Sequence, residues 1–552
     1  MNKKYCLTKK DVLIILIITL VYSIIALYNL GYMYAPQTAE ELTAGAPAVI
    51  DLGTDRNISE IRFYLGPREL SQDRTLTVTA AADDGTEVYS STLENASVFC
   101  WSEITDIDVY GRFVTFSTND SLYITEAAVY SGDTLLTPVS GSTKLFDEQE
   151  FIPRLPSYRS GTYFDEIYHA RTAYEFLHKL PVYEWTHPPL GKIFISFGVK
   201  LFGMTPFGWR ISGTLFGILM IPAIYVFLKK MFGNVRLCTC GTLLFTFDFM
   251  HFAQTRIATI DVYVTFFIML MYLFMYRYYT ADFSHSVKKS TYFPLIPCGI
   301  AAGLAIACKW TGIYAAAGLA ILFFITFARH FRDNKSQFQK YSVKIILFCV
   351  LMFGLVPILI YAVSYIPYVR CMQDGLGAII KNQTDMLTYH GKTVVSATHA
   401  YSSPWYKWPL DLRPIWYYTG ENGTRTENIS SFGNPAVWWA GAAAFLFCVY
   451  DALRRKNKNA RFLVIAYLSQ LVPWIPVTRI TFIYHYFSCV PFMILMICHA
   501  ADRLNAKRTL IALTVIAVIL FAAFYPVISG YPVPHEYVTE FLRWLPSWQL
   551  AP

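Results

Sequence analysis

The sequence predicts a polytopic α-helical membrane protein, N-terminus inside, with an extracytoplasmic β-sandwich inserted in its first outer loop. Three observations predict it. Of the 552 residues, 55% are hydrophobic and only 15% are charged, whereas soluble domains carry about 25% charged residues. Apolar runs of bilayer-spanning length recur along the chain. Between the first two of them, a long polar stretch alternates with period two between turn residues, which is the strand pattern.

Taken in order, residues 1–35 begin with the basic "MNKKYCLTKK" and continue into an apolar run of about 20 residues. A cleavable signal has a shorter apolar core and a small-residue cleavage site, so a retained first span is expected. Residues 36–145 carry "PAVIDLG", "ISEIRFYL", "LTVTAA", "TEVYSSTL", "RFVTFST" and "LYITEAAVYSG". These are short, alternating and separated by Gly, Asn and Asp turns, as in a β-sandwich. Residues 146–208 complete the first outer loop. Spans two to seven fall in 209–366, near 209–228, 237–252, 260–278, 292–307, 311–328 and 345–366. A second outer loop occupies 367–433. Spans eight to eleven fall in 434–528, near 435–453, 462–477, 481–499 and 509–528, and an outer tail follows over 529–552.

Basic residues set the orientation. Lys3, Lys4, Lys9 and Lys10 precede the first span, and Lys229, Lys230 and Arg236 separate the second from the third. Lys288 and Lys289 follow the fourth, and Arg329, Arg332, Lys335, Lys340 and Lys344 follow the sixth. Arg454, Arg455, Lys456, Lys458 and Arg461 follow the eighth, and Arg503, Lys507 and Arg508 the tenth. With eleven spans all these loops share one side, which the positive-inside rule makes cytoplasmic. The net charge of +8 therefore reports topology and contact with anionic lipid. It does not point to nucleic acid.

The cysteines carry no chemistry on this reading. Cys298, Cys308, Cys349, Cys448, Cys489 and Cys498 fall in or beside apolar runs, where they pack as small apolar groups. Cys100 and Cys371 are too few for a disulfide framework. Cys238 and Cys240 have no nearby His or Cys pair to complete a zinc site, so no metal is assigned.

The chemistry concentrates on the outer side. "FDEIYHARTAYEF" sets adjacent carboxylates, Asp165 and Glu166, at the start of an amphipathic helix too polar to span, expected along the membrane surface. On it Asp165, His169 and Thr172 share one face and Ile167, Tyr174 and Leu177 another. Acids in a first turn also suit the helix dipole, but capping accounts for only one of the pair. In "THPPLGK" two prolines fix a rigid turn that holds His187 and Lys192. Arg256 and Asp261 sit at the mouth of the third and fourth spans, Lys309 in a tight outer turn, and Arg479 in another above His485. A single cation there reads as a snorkelling side chain. Four of them on the face that should be poor in basic residues point to a shared anionic ligand such as a lipid-linked phosphate. His390, His399 and Trp405 in the second outer loop are either interfacial anchors or substrate contacts.

"FDEIYHARTAYEF", "HPPLGK", "HFAQTRIATIDVYVTFF", "CKWTGIY", "YHGKTVVSATHAYSSPWYKWPLDLRPIWYY", "FGNPAVWW" and "WIPVTRITFIYHYF" together resemble the protein O-mannosyltransferases, glycosyltransferase family 39, in their bacterial form. The resemblance runs from about residue 162 to about residue 500, with the first helix in front. It implies a GT-C membrane fold, a polyprenyl-phosphate-mannose donor and a Ser/Thr acceptor on exported protein, with Asp165 and Glu166 at the active site. Asp165 is then expected to take the acceptor's proton, with Glu166 assisting it or orienting the loop. Lys192, Arg256, Lys309 and Arg479 are expected on the donor phosphate, and His187, Asp261, His390, His399, Trp405 and His485 on substrate. One base without a covalent intermediate implies inversion at the anomeric carbon. The inserted β-sandwich departs from the compact first loop usual in the family. Its "AVIDLGTDRNISEIRFYLG" and "LYITEAAVYSG" resemble discoidin-like, galactose-binding jelly rolls, which implies a sugar or surface ligand; the alternative is a structural cap. A relative of the same fold and donor class, moving another sugar to an envelope glycan or lipid, is the second reading. A transporter is the third, and the outer clustering of charges disfavours it against mid-membrane sites. Metal requirement and oligomeric state are left open by the sequence.

Overall fold

Alternation builds the strands. Leu76, Val78 and Ala80 are buried while Thr77, Thr79 and Ala81 between them are half-buried, as a pleat with one face on a core requires. The structure is a computed structural model describing residues 3–281, 292–333 and 335–551, so Lys288, Lys289 and the side chain of Lys335 lie outside the described residues. Two units divide the chain, one of Asn29–His178 and Ser196–Arg210, the other of Met1–Tyr28, Lys179–Ile195 and Ile211–Pro552.

The first unit contains ten strands: β1 (Glu40–Leu42), β2 (Ala48–Ile58), β3 (Glu60–Leu65), β4 (Leu76–Ala81), β5 (Glu87–Leu93), β6 (Trp101–Ile104), β7 (Val109–Thr118), β8 (Leu122–Ser131), β9 (Thr134–Leu135) and β10 (Ser140–Gly141). One antiparallel sheet runs β1–β8–β3–β6 with β9 on β8, and the other runs β10–β2–β7–β4–β5. Ile61, Phe63 and Ile124 of the first sheet share a core with Ile50, Val78, Val114 and Phe116 of the second. The rings of Phe63 and Phe116 meet with centroids 6.4 Å apart. Each fully buried side chain of this size contributes about 1.5–3 kcal/mol. The strands that sequence patterning does not reveal are β1, β6, β9 and β10, of three, four, two and two residues. They are too short to display a period.

After the sandwich the chain reaches the helix Glu166–His178, which buries Glu166, His169, Ala170, Arg171, Thr172, Ala173 and Glu175. A helix lying on a membrane surface would expose that polar face. Here it faces inward because Arg171 pairs with both Glu175 (3.0 Å) and Glu69 of the β3–β4 loop. Tyr174 packs on Phe99, with centroids 5.3 Å apart.

The second unit is helical. Among the described residues of the chain, eight helices are long and apolar enough to cross a membrane: Lys9–Leu27, Pro206–Phe232, Asp261–Tyr279, Thr311–Asp333, Phe338–Met372, Pro435–Leu453, Ile483–Arg503 and Lys507–Ser529. Val235–Thr246 and Leu295–Cys308 are shorter apolar helices. The protein is thus a multi-pass membrane protein. The span expected over 237–252 is broken, because the Asp248 side chain accepts from the His251 backbone N–H at 3.1 Å and starts a new helix, Phe249–Thr255. The span expected over 462–477 stops at Leu471, where Pro473 turns the chain into a 3-10 segment. Asp11 accepts from Tyr225 (2.7 Å) and pairs with Lys229 (2.9 Å), the kind of partnering that a charge within an apolar helix needs. Within residues 367–433, β11 (Ile415–Asn422) and β12 (Arg425–Ser431) form a hairpin joined by β13 (Val533–Pro534). The buried Trp548 indole ties the C-terminal segment down by donating to the Asp411 carbonyl at 2.7 Å.

Candidate active site

The carboxylate pair divides into two environments. Glu166 is fully buried, and Arg210 grips it as a fork, Nε to Oε1 and Nη2 to Oε2, both at 2.7 Å. The Trp209 indole (3.1 Å) and the Tyr163 amide (3.3 Å) donate to the same carboxylate. Arg210 also donates to the carbonyls of Leu30 and Gly161, each at 2.9 Å. Glu166 is thereby the anchor of the turn. Asp165, half-buried at the entry to the helix, follows Phe164, whose φ of +49° puts a bulky residue in the left-handed region. Such backbone persists only where its surroundings force it.

A pocket of about 360 Å³ lies in the helical unit, within the range of small-molecule sites. Thr186, His187, Lys309, Trp310, Tyr314, His390, Trp474 and Arg479 line it. The THPPLGK turn reaches the pocket with Thr186, His187 and Pro188, and Gly191 lets it pack on Ile260, from which a Cβ would be only 2.6 Å away. Glu184 organises the turn from within. Its carboxylate accepts from the Thr186 amide at 2.9 Å and meets His187 Nδ1 at 3.1 Å. His390 donates through Nε2 to the Thr186 carbonyl at 2.8 Å, and its ring stands 5.4 Å from that of His187. Burial pushes the His187 imidazole down against the opposing pull of Glu184, and burial, then His187 and the nearby Arg479 and Lys309, push His390 down to about 4.

The pocket's charges do not balance. Lys309 is neutralised by Asp261 at 2.8 Å and lies over the Tyr484 ring. Arg479, half-buried, has no acidic partner among the described residues; its one hydrogen bond is to the adjacent Ile480 carbonyl at 3.4 Å. Behind the lining, the buried His485 ring stacks on Trp474 with centroids 4.4 Å apart, and neither of its nitrogens has a hydrogen-bond partner among the described residues.

Of the four cations expected on a phosphate, the structure brings two together. Lys309 and Arg479 line the pocket. Lys192 is buried under the turn, ion-paired to Glu184 and donating to the His187 carbonyl at 2.9 Å. Arg256 is buried at two helix C-termini, donating to Ala26 O (3.0 Å), Tyr28 O (2.8 Å) and Ser529 O (3.5 Å). Those carbonyls are the negative ends of helix dipoles, so a guanidinium there is satisfied without a ligand. Among the residues expected on substrate, His187 and His390 line the pocket, Asp261 serves Lys309 and His485 lies behind Trp474. His399 is exposed beside Phe482, and Trp405 is half-buried beside Tyr406; neither lines the pocket. Sequence reading missed Arg210 and Glu184. Arg210 carried a signal, as a lone cation at the head of an apolar run. Trp310 and Tyr314 sit in "CKWTGIY" itself. Cys238 and Cys240 are buried in a helix, and among the described residues no three His, Cys, Asp or Glu side chains group to hold a metal.

The chain is similar in sequence and fold to known proteins. The family model for dolichyl-phosphate-mannose-protein mannosyltransferase matches residues 203–369. That for the C-terminal four-transmembrane region of protein O-mannosyltransferase matches 376–548. A polyprenol-phosphate-mannose–protein mannosyltransferase of Corynebacterium glutamicum is 26% identical over 435 residues, 66% of this chain and 81% of that protein. Its counterpart in Mycobacterium tuberculosis H37Rv is 22% identical over 453 residues, 70% of this chain and 86% of that one. The S. cerevisiae protein O-mannosyltransferase Pmt1–Pmt2 complex bound to the sugar donor has the same fold, with a TM-score of 0.62 at 14% identity over 70% of this chain and 89% of that one. Together the two family models take in more than half of the residues, and the chain belongs to the protein O-mannosyltransferase family, on a GT-C membrane fold.

Proposed function

We propose that this chain is an inverting glycosyltransferase that moves mannose from polyprenyl-phosphate-mannose to Ser or Thr hydroxyls of exported proteins, on the outer face of the membrane. The observation that carries the reading is Arg479, a pocket cation with no acidic partner among the described residues, beside a neutralised Lys309 and two imidazoles. Such a pocket suits a singly charged phosphate diester. The guanidinium fork and the ammonium pair with its free oxygens. The donor class is the one in the names of the curated relatives.

In the reaction the acceptor oxygen bonds to the anomeric carbon as its proton passes to the Asp165 carboxylate. The bond from that carbon to the phosphate oxygen breaks, and its electron pair leaves with the polyprenyl phosphate, whose developing charge Arg479 and Lys309 stabilise. A single displacement inverts the centre. Glu166 takes no proton, because both its oxygens are held by Arg210; it fixes the turn that bears Asp165. The outer location is supported by the basic loops, which cluster on the opposite side of the predicted topology.

The test combines the purified chain in lipid with labelled polyprenyl-phosphate-mannose and a Ser/Thr-rich peptide. Labelled peptide whose glycosidic linkage has the anomeric configuration opposite to the donor's is the expected product. Transfer to lipid or glycan acceptors but not to peptide would overturn the assignment.

A further inference from the structure

We propose that the β-sandwich is a positioning element for catalysis: its loop at Val98–Cys100 is the template on which the Asp165 turn is laid. The proposal rests on Asp165 being the base. The loop is itself fixed to β3, since Phe99 N–H donates to the Leu65 carbonyl at 2.9 Å and the buried Tyr64 hydroxyl donates to the Phe99 carbonyl at 2.9 Å. The same Phe99 carbonyl accepts from the Thr162 amide at 3.0 Å, and the Thr162 hydroxyl donates to the Val98 carbonyl at 2.6 Å. Gly161 lies against the loop so closely that a Cβ would come 2.6 Å from Cys100 Cβ and 2.8 Å from its Cα. Phe99 is left-handed at φ +52°, as Phe164 is at +49°, so a distorted residue stands on each side of the junction.

The far end of the turn is held as well. Past Asp165 the helix rests on the sandwich through Tyr174 on Phe99 and through Arg171, paired with Glu69. Arg210 closes the remaining side by donating to the Gly161 carbonyl while holding Glu166. Only Tyr163 and Phe164 separate Thr162 from Asp165, and none of the anchors supplies a reacting group. Their role is to set where the carboxylate stands. Thr162 and Tyr64 are therefore positioning residues.

The test is Thr162→Val, which keeps the shape and loses the hydroxyl, set against Thr162→Ser, which keeps the hydroxyl. Thr162→Val should lower kcat for a short peptide about tenfold, inside the range up to ~10²-fold that a misplacement of about 1 Å costs. Donor KM should stay within about twofold, and Thr162→Ser should restore kcat. Tyr64→Phe, acting through the same Phe99 carbonyl, should lower kcat in the same way. Thr77→Val makes the same chemical change on the exposed Thr77–Thr92 pair and should leave kcat unchanged. Wild-type kcat in Thr162→Val, or a kcat loss that Thr162→Ser does not rescue, would overturn the proposal. So would a loss that Thr77→Val matches. Near-wild-type activity in Asp165→Asn would instead remove the base assignment, so the two failures are distinguishable.

Discussion

Arg479→Ala should weaken donor binding without loosening the fold, and the pairing of the pocket's charges separates those effects. With no acidic partner among the described residues and one hydrogen bond of 3.4 Å, Arg479 can be truncated without stranding a carboxylate. A hydrogen bond to a charged group contributes about 1.5–3 kcal/mol. At about 1.4 kcal/mol per decade, the donor KM should rise roughly 10- to 150-fold while the unfolding midpoint holds. Lys309→Ala is the contrasting case. It strands Asp261, whose side chain is 12% exposed, and breaking a buried pair costs about 3–5 kcal/mol. Its midpoint should fall, and adding Asp261→Asn to Lys309→Met should restore the midpoint but not the KM. The assay titrates polyprenyl-phosphate-mannose against a fixed peptide and follows thermal unfolding of the same preparations. A donor KM within about twofold of wild type in Arg479→Ala would refute the anion site, as would an equal effect from the exposed Arg454→Ala.

Three further outcomes follow from the geometry. Asp165→Asn should cut turnover by roughly a hundredfold or more, the scale of general-base catalysis, with donor binding measured by equilibrium titration unchanged. His390 sits at about 4, below its ordinary 6.5, so it is neutral in the empty pocket and gains a proton when a phosphate raises its pKa. Donor KM should therefore fall as pH is lowered from about 7 toward 5, and His390→Gln should flatten that dependence; identical profiles would remove His390 from the anion site. Arg210→Met leaves Glu166 as an uncompensated buried charge and should cost about 3–5 kcal/mol of stability, recovered in part by adding Glu166→Gln; thermal unfolding of the single and double variants checks it.

The sequence shows most clearly what repeats. Alternation marks β2, β3, β4, β5, β7 and β8, and apolar runs mark the long helices, because burial on one face imprints a period on neighbouring residues. The candidate site was legible in type more than in pairing. His187, His390, Lys309 and Arg479 were all singled out, and all line one pocket. Lys192 and Arg256 looked the same as those two cations in sequence, each a lone basic residue in an outer turn. What distinguishes them is a partner: Glu184 eight residues earlier for Lys192, and carbonyls more than two hundred residues away for Arg256. A one-dimensional pattern does not carry such contacts. The Phe99–Thr162 junction is equally silent, since its bonds use backbone carbonyls that every residue possesses.

The junction at Phe99 also dictates an order of maturation. The sandwich strands precede the Asp165 turn in the chain, and β2 with β7 or β3 with β8 pair residues some fifty to seventy positions apart. Non-local β-pairing of this kind closes in milliseconds to seconds, far more slowly than a helix forms. The turn cannot be set before the sandwich closes, because the carbonyls that receive Thr162 take their places only then. Activity therefore waits on the sandwich, and a lesion in its core, at Phe63 or Phe116, should yield protein that inserts into the membrane but gains activity late.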